Sequence, residues 1–281
     1  VALTLLFIGL MLKMALFPLH FWLPPAHSNA PAPVSAALSA LVVKAAFYLL
    51  LRFWLDLFTP ILTPWVANAF GVLGAIAVIW GSWSALRTDR LKLLAAYSSV
   101  SQLGYLVMFL PLLTVLEGET RNLVLGGMVT FALSHAFAKS ALFLSAGILL
   151  QHCGHDRIRE LGGTAQRLPL TMFVIALSGV ALIGLPPSGA FLGKWYLLDS
   201  AFNTGQWWWI LVVVAGSLIA TAYVFRLVSH AFDHLTEVKP PPVSRMQEIP
   251  ALLLALLATF GLGLGAAGIW PLLGETAKGM S

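Results

Sequence analysis

Apolar runs long enough to cross a bilayer recur along almost the whole chain, separated by short polar or proline-rich breaks. A membrane helix needs about 20 apolar residues to span a hydrocarbon core of about 30 Å. On that measure eight spans are predicted, at about 1–22, 31–54, 64–86, 92–112, 122–150, 168–200, 207–232 and 249–272. Two of them are not plain helices. Leu168 to Ser200 would run about 48 Å as straight helix, far more than the core requires. Pro186 and Pro187 bring no N–H, so the carbonyls of Leu182 and Ile183 lose their helical partners. Gly184 and Gly189 flank the prolines and let the backbone turn. The first span is broken too, because Pro18 removes the bond to the Met14 carbonyl. Freed backbone groups at membrane depth survive only inside protein or beside water. The fold class is therefore all-α: a polytopic membrane helix bundle of about eight spans, the first and sixth discontinuous, forming a single transmembrane domain over 1–281.

Polar positions inside these runs are few and placed with a pattern. Lys13 sits near the middle of the first span, and His20, Trp22 and the PPAHSNAP loop mark an interface. Pro31 and Pro33 open the second span, where missing N–H groups cost little. Lys44 is central in it, with Tyr48 and Arg52 following on the same face. The third span carries no charge and reads as packing. The fourth contains Tyr97, Ser98, Ser99, Ser101 and Gln102, which either bond helix to helix or line a wet path. Lys92 lies at its end, where snorkelling is the simpler fate. His135 and Lys139 are one turn apart on one face of the fifth span. Lys194 follows the break in the sixth by about two turns. The plainer reading of that segment is a proline hinge with a lysine that snorkels to the headgroups. Trp207, Trp208 and Trp209 form an interfacial belt, and Arg226 and His230 snorkel at the far end of the seventh span. Pro240 to Pro242 stiffen the loop 233–248, and the glycine-rich eighth span suits close packing.

Composition narrows the classes. The chain is 59% hydrophobic and 10% charged, whereas a soluble domain carries roughly 25% charged residues. A net charge of +5 does not point to nucleic acid, because the basic residues fall inside apolar runs or in short loops. A single cysteine, Cys153, excludes an intramolecular disulfide framework and a cysteine-rich metal cluster. His152, Cys153 and His155 lack a fourth ligand and sit in a polar loop, so no metal is expected. No flavin, iron–sulfur or nucleotide motif calls for a cofactor, and no HExxH motif suggests an intramembrane protease. The chain opens on Val1 already inside an apolar run, so no signal peptide is expected and the sequence reads as a piece of something longer. Eight spans put Arg87, Arg90, Arg157, Arg159, Arg167, Lys239 and Arg245 on one side, and Arg52, Arg121 and Lys278 on the other. The positive-inside rule makes the first side cytoplasmic.

Lys13, Lys44, Lys139 and Lys194 carry the candidate chemistry, since each would cost several kcal/mol if it faced lipid. They are expected to face the bundle interior or water. Loss of hydration disfavours a charged amine, so a lysine can take up and release a proton where arginine cannot. His135 can relay between them, while Tyr48, Tyr97, Ser98, Ser101 and Gln102 hold connecting waters. All eleven Asp and Glu residues are placed in loops or at span ends. The buried lysines then lack an acidic partner within their own spans.

The stretches LKMALFPLHFWLPPAHSNAPAPVSA, LVVKAAFYLLLR, LAAYSSVSQLGY, SHAFAKSALFLSAG and GLPPSGAFLGK occur in the order of one family. From residue 1 to about 235 the chain resembles the antiporter-like, proton-translocating membrane subunits of respiratory complex I, membrane-bound hydrogenases and multisubunit Na⁺/H⁺ antiporters. The resemblance implies a fold of fourteen or so helices with two inverted repeats, each holding a broken helix. It implies that Lys13 matches the central lysine of the first half-channel, Lys44 the connecting site, Lys139 the central lysine of the second half with His135 beside it, and Lys194 the terminal site. Lys92 also matches a position that is basic in some members. The glutamate that pairs with the Lys13 equivalent lies on an earlier helix absent from this sequence, so the N-terminal part of the family fold is missing here.

Together these imply a non-redox subunit that moves protons, or Na⁺, along buried lysines in a bacterial-type inner membrane. Its partners would be other membrane subunits of a larger complex and the lipid bilayer, with no nucleic acid. Redox chemistry would sit in the partners. The alternatives are membership of a multisubunit cation/proton antiporter and a structural scaffold with an inactive channel.

Overall fold

The computed structural model describes residues 2–58, 63–233, 244–266 and 268. Among them every regular element is helical, and six helices are long and apolar enough to cross a membrane. These are α3 (Ala32–Leu57), α4 (Pro64–Arg87), α5 (Leu91–Val115), α6 (Gly118–Cys153), α9 (Trp208–His230) and α10 (Arg245–Ala266). The other two expected spans are the broken ones. The first comprises α1 (Ala2–Lys13), an irregular turn and α2 (Leu23–Asn29). The sixth comprises α7 (Pro169–Ile183) and α8 (Gly189–Asn203). Six unbroken and two broken spans reproduce the eight read from hydropathy.

The differences lie at the span ends. PPAHSNAP reads as a loop in the sequence, yet Leu23–Asn29 is helical, with proline in the first turn. Prolines there remove only N–H groups that have no helical partner anyway, so the pair starts the helix rather than blocking it. The first break begins before Pro18, at Lys13, and the indole of Trp22 caps the Leu12 carbonyl at 2.7 Å. α6 and α10 each start about one turn earlier than hydropathy alone suggests. Pro240 to Pro242, Lys239, Lys278 and residues 269–272 of the eighth span lie outside the described residues.

α5 is the axis of the bundle: 89% of its apolar stretch is buried, against 28% for α9. A helix that is apolar nearly all round belongs inside other helices. Its main neighbour is α4, and the two approach through small residues. A methyl at Gly74 would stand 2.6 Å from the Gly104 carbonyl, and one at Gly81 would stand 2.6 Å from the Ser101 amide. Without lipid-excluding hydrophobic force, this close backbone contact and its van der Waals attraction hold membrane helices together. α6 lies across α5 and meets α3, α7, α8 and α10.

One end of the bundle is tied by its loops. The Leu91 amide donates to the Asp156 carbonyl at 2.8 Å, and the Ile158 amide to the Asp89 carbonyl at 2.7 Å. Asp156, buried, accepts from Arg90 Nε at 3.0 Å, while Asp89 pairs with Arg159 at 3.2 Å and with Arg226 at 3.8 Å. Arg226 also donates to the Thr88 carbonyl, and His230 is bonded to Asp233 at 2.9 Å. The sequence suggests that Arg226 and His230 snorkel. In the structure they stitch α9 to its own turn and to the α4–α5 loop. The α4–α5 loop, the α6–α7 loop and the end of α9 thus share one side, as the count of spans requires.

Candidate functional site

The break between α7 and α8 is where the sequence places freed carbonyls, and the structure shows what takes them up. Gln102 Nε2 donates to the Leu182 carbonyl at 2.9 Å. Lys194 Nζ folds back and donates to the Ile183 carbonyl at 2.8 Å. The same ammonium donates to Ser217 Oγ at 2.9 Å and lies 4.3 Å from the centre of the Tyr105 ring. Two hydrogen bonds and a cation–π contact therefore occupy the three directions of the head group. Lys194 is buried and borders a cavity of about 320 Å³ that Gly184, Trp195 and Ser217 also line. It does not snorkel. Gly184 adopts φ +81°, and a Cβ there would stand 2.7 Å from Lys194 Cδ. Only glycine both makes this turn and leaves room for the lysine stem. Ser188 then caps α8 by accepting from the Phe191 amide at 3.2 Å.

Lys139 lies deeper. It is fully buried on α6 and donates to the Ala95 carbonyl at 2.5 Å and to Ser98 Oγ. His135, one turn earlier, is buried with both ring nitrogens lacking a protein partner among the described residues. Lys44 donates to the Ser39 carbonyl within the wide π-helical turn Leu38–Val42. Ser39 Oγ is 3.0 Å from Ser99 Oγ, and Ser99 donates to the Ala95 carbonyl at 3.0 Å. That carbonyl is also the Lys139 acceptor. Ser39 thus stands between the two lysines: its carbonyl takes Lys44 of α3, and its hydroxyl reaches through Ser99 of α5 to the carbonyl that takes Lys139 of α6. Lys44 lies within electrostatic range of both His135 and Lys139.

α5 supplies most of the remaining parts. Ser98, Gln102 and Tyr105 follow at i, i+4 and i+7 on one side, reaching Lys139, the break and Lys194 in turn. Ser101 instead bonds Ser82 of α4 at 2.8 Å and is helix-to-helix glue. Helix-to-helix bonding accounts for Ser101, while Ser98 serves as a ligand of Lys139. No carboxylate among the described residues lies within ion-pair distance of Lys44, Lys139 or Lys194, so neutral oxygens and a ring are their ligands.

Several expectations need correction. Lys13 is exposed, because α1 packs mainly on α3 and presents its lysine outward. Tyr48 is 57% exposed and lines nothing inside this chain, Tyr97 is half-buried, and Arg52 pairs with Asp56 at 2.9 Å. Lys44 itself is only half-buried. Lys92 does not snorkel: it is buried and donates to the Ala30 carbonyl at 2.8 Å, in the turn after α2. Two residues escaped sequence reasoning. His27 is fully buried, stacks on Phe143 at 4.5 Å and leaves both nitrogens without a protein partner among the described residues. The proline pair at a helix start was the signal. Glu248, at a span end as the sequence places it, is nonetheless buried in the first turn of α10 and accepts from Thr171 Oγ1 at 2.5 Å.

A bundle of membrane helices with two broken spans and ammonium groups held inside defines a polytopic helical membrane protein. The family described as NADH:quinone oxidoreductase/Mrp antiporter, TM, matches residues 1–220. The NADH-quinone oxidoreductase subunit N of Desulforudis audaxviator is 36% identical, over 96% of this chain and 55% of that protein. One of the Na(+)/H(+) antiporter subunits of Alkalihalophilus pseudofirmus is also 36% identical, over 85% of this chain and 31% of that protein. One chain of the respiratory complex I from Thermus thermophilus solved with bound aureothin superposes with TM-score 0.75 at 28% identity, over 96% of this chain and 58% of that one. The chain belongs to this family of antiporter-like membrane subunits, and it spans about half the length of its subunit N relative.

Proposed function

We propose that the chain moves protons as a membrane subunit of a complex I-like NADH-quinone oxidoreductase or a related hydrogenase complex, in a bacterial-type inner membrane. One observation carries this: ammonium-bearing side chains on α3, α6 and α8 are held by neutral oxygens and, at Lys194, an aromatic ring, with Ser39 and Ser99 between the first two. A lysine so held keeps two usable states. With the proton, it is solvated by carbonyls and hydroxyls. Without it, the same oxygens lose only a hydrogen-bond donor, and no buried carboxylate is stranded.

Protons would pass stepwise between Lys44, Lys139 and Lys194, with His135 and water between them. Lys13, on the outer face of this chain, would join the path where further helices of the family fold cover it. Two unit charges about 10 Å apart at an effective dielectric of about 20 repel by about 1.7 kcal/mol. That is more than a tenfold change in a protonation equilibrium. A proton arriving at one lysine therefore drives the next one onward. Partner subunits would supply the redox chemistry.

The 36% identity to a Na(+)/H(+) antiporter protein supports a second reading, a place in a multisubunit cation/proton antiporter. In that setting the lysines would still carry the protons, since an ammonium group repels Na⁺ and offers it no ligand. A scaffold with an inactive channel is the third. Lys139→Ala and Lys194→Ala, each in the assembled complex in sealed vesicles, separate these. Loss of turnover-driven acidification with normal assembly supports the proton path, and a Na⁺ requirement for it supports the antiporter setting. Undiminished acidification in both variants leaves only the scaffold.

A further inference from the structure

The outer face of α4 carries an apolar groove of about 420 Å³, walled by Ala75, Ile76, Ile79, Trp80 and Trp83 with Val212 of α9. Ile76, Trp80, Trp83 and Arg87 follow at i, i+4, i+7 and i+11, so they form one stripe along the helix. All four are exposed. The Arg87 guanidinium lies 5.9 Å from the centre of the Trp83 ring, at the end of the groove. Among the described residues no carboxylate pairs with Arg87; Asp89, two residues on, is taken by Arg159 and Arg226.

Size and depth select the occupant. A groove of this volume admits side chains of a neighbouring helix but not its body, which is about 10 Å across. A single hydrocarbon chain is the slender alternative. From Ile76 to Arg87 the helix rises about 16 Å. One leaflet contributes about 15 Å of hydrocarbon, half of the about 30 Å core. A chain tail reaching the bilayer midplane beside Ile76 therefore brings its headgroup level with Arg87. We propose that this groove holds one acyl chain of an anionic glycerophospholipid from the leaflet on the basic-loop side, with its phosphate on Arg87 and Trp83 at the boundary between them. The tryptophan is suited to that place, with an apolar ring and a polar N–H edge.

The test uses the assembled complex in vesicles containing either phosphatidylglycerol or phosphatidylcholine, each with a photoactivatable acyl chain. Peptide mass spectrometry then measures labelling of residues 75–87. We expect at least threefold more label from phosphatidylglycerol. Arg87→Gln should reduce it to the phosphatidylcholine level, and Ile76→Trp, which fills the groove, should reduce labelling by both lipids. Arg121→Gln, at the start of α6, should change nothing. Equal labelling by the two lipids in the unaltered protein would overturn the proposal, as would unchanged labelling in Arg87→Gln. Absence of label from residues 75–87 would overturn it as well, because a partner protein would then cover this face.

Discussion

Gly184→Ala should disable Lys194 without touching it. The residue sits at φ +81°, where an L side chain costs about 1–2 kcal/mol. The new methyl would also stand 2.7 Å from Lys194 Cδ, inside contact distance. The stem must move, yet its head is fixed by the Ile183 carbonyl at 2.8 Å and Ser217 Oγ at 2.9 Å. Losing one such charge-assisted bond costs about 1.5–3 kcal/mol. The two effects together reach about 2.5–5 kcal/mol, concentrated at the break and its lysine. If about 1.4 kcal/mol of that falls on the proton-transfer step, the rate drops tenfold. The assay is acidification of vesicles holding the assembled complex, normalised to subunit content. We expect at least a tenfold loss, with electron transfer by the partners still measurable. Gly9→Ala is the control: a Cβ there meets nothing within 4 Å, and alanine favours the helix by roughly 0.5–1 kcal/mol. Normal acidification in Gly184→Ala would refute the coupling between the turn and the lysine.

Other perturbations separate path from packing. Ser98→Ala removes one Lys139 ligand and should slow acidification severalfold, while Ser101→Ala breaks only the bond to Ser82 and should cost about 0.5–1.5 kcal/mol of thermal stability with transport intact. Asp156→Ala removes a buried carboxylate that serves Arg90 and the Lys92 amide, and should lower the melting temperature more than Asp89→Ala, whose carboxylate is half-exposed and whose ion pair with exposed Arg159 contributes at most about 1 kcal/mol. A differential scanning measurement on the assembled complex would rank them, and the reverse order would contradict the loop architecture.

Hydropathy and proline positions made the spans and both breaks legible, down to the two carbonyls that Gln102 and Lys194 take up. What stayed hidden depends on which helices meet. α5 is apolar almost all round, so its periodicity cannot tell Ser98, facing a lysine, from Ser101, facing a helix. Lys92 looked free to snorkel because the turn that covers it, ending at Ala30, lies 62 residues away in sequence. His27 was missed for a related reason, since a proline pair reads as a loop until its helix is seen docked on Phe143. Lys13 erred in the opposite direction. Mid-span position forbids lipid contact, but it does not say whether the covering helix belongs to this chain.

The most direct test keeps the charge and removes the proton exchange. Arginine stays protonated, so Lys139→Arg in the assembled complex retains a cation beside Ala95 and Ser98 but cannot release its proton. Acidification of reconstituted vesicles should be measured with subunit content confirmed. A proton path through Lys139 predicts loss as complete as in Lys139→Ala. Near-normal acidification would mean that the site needs a fixed positive charge alone, and the protons travel elsewhere.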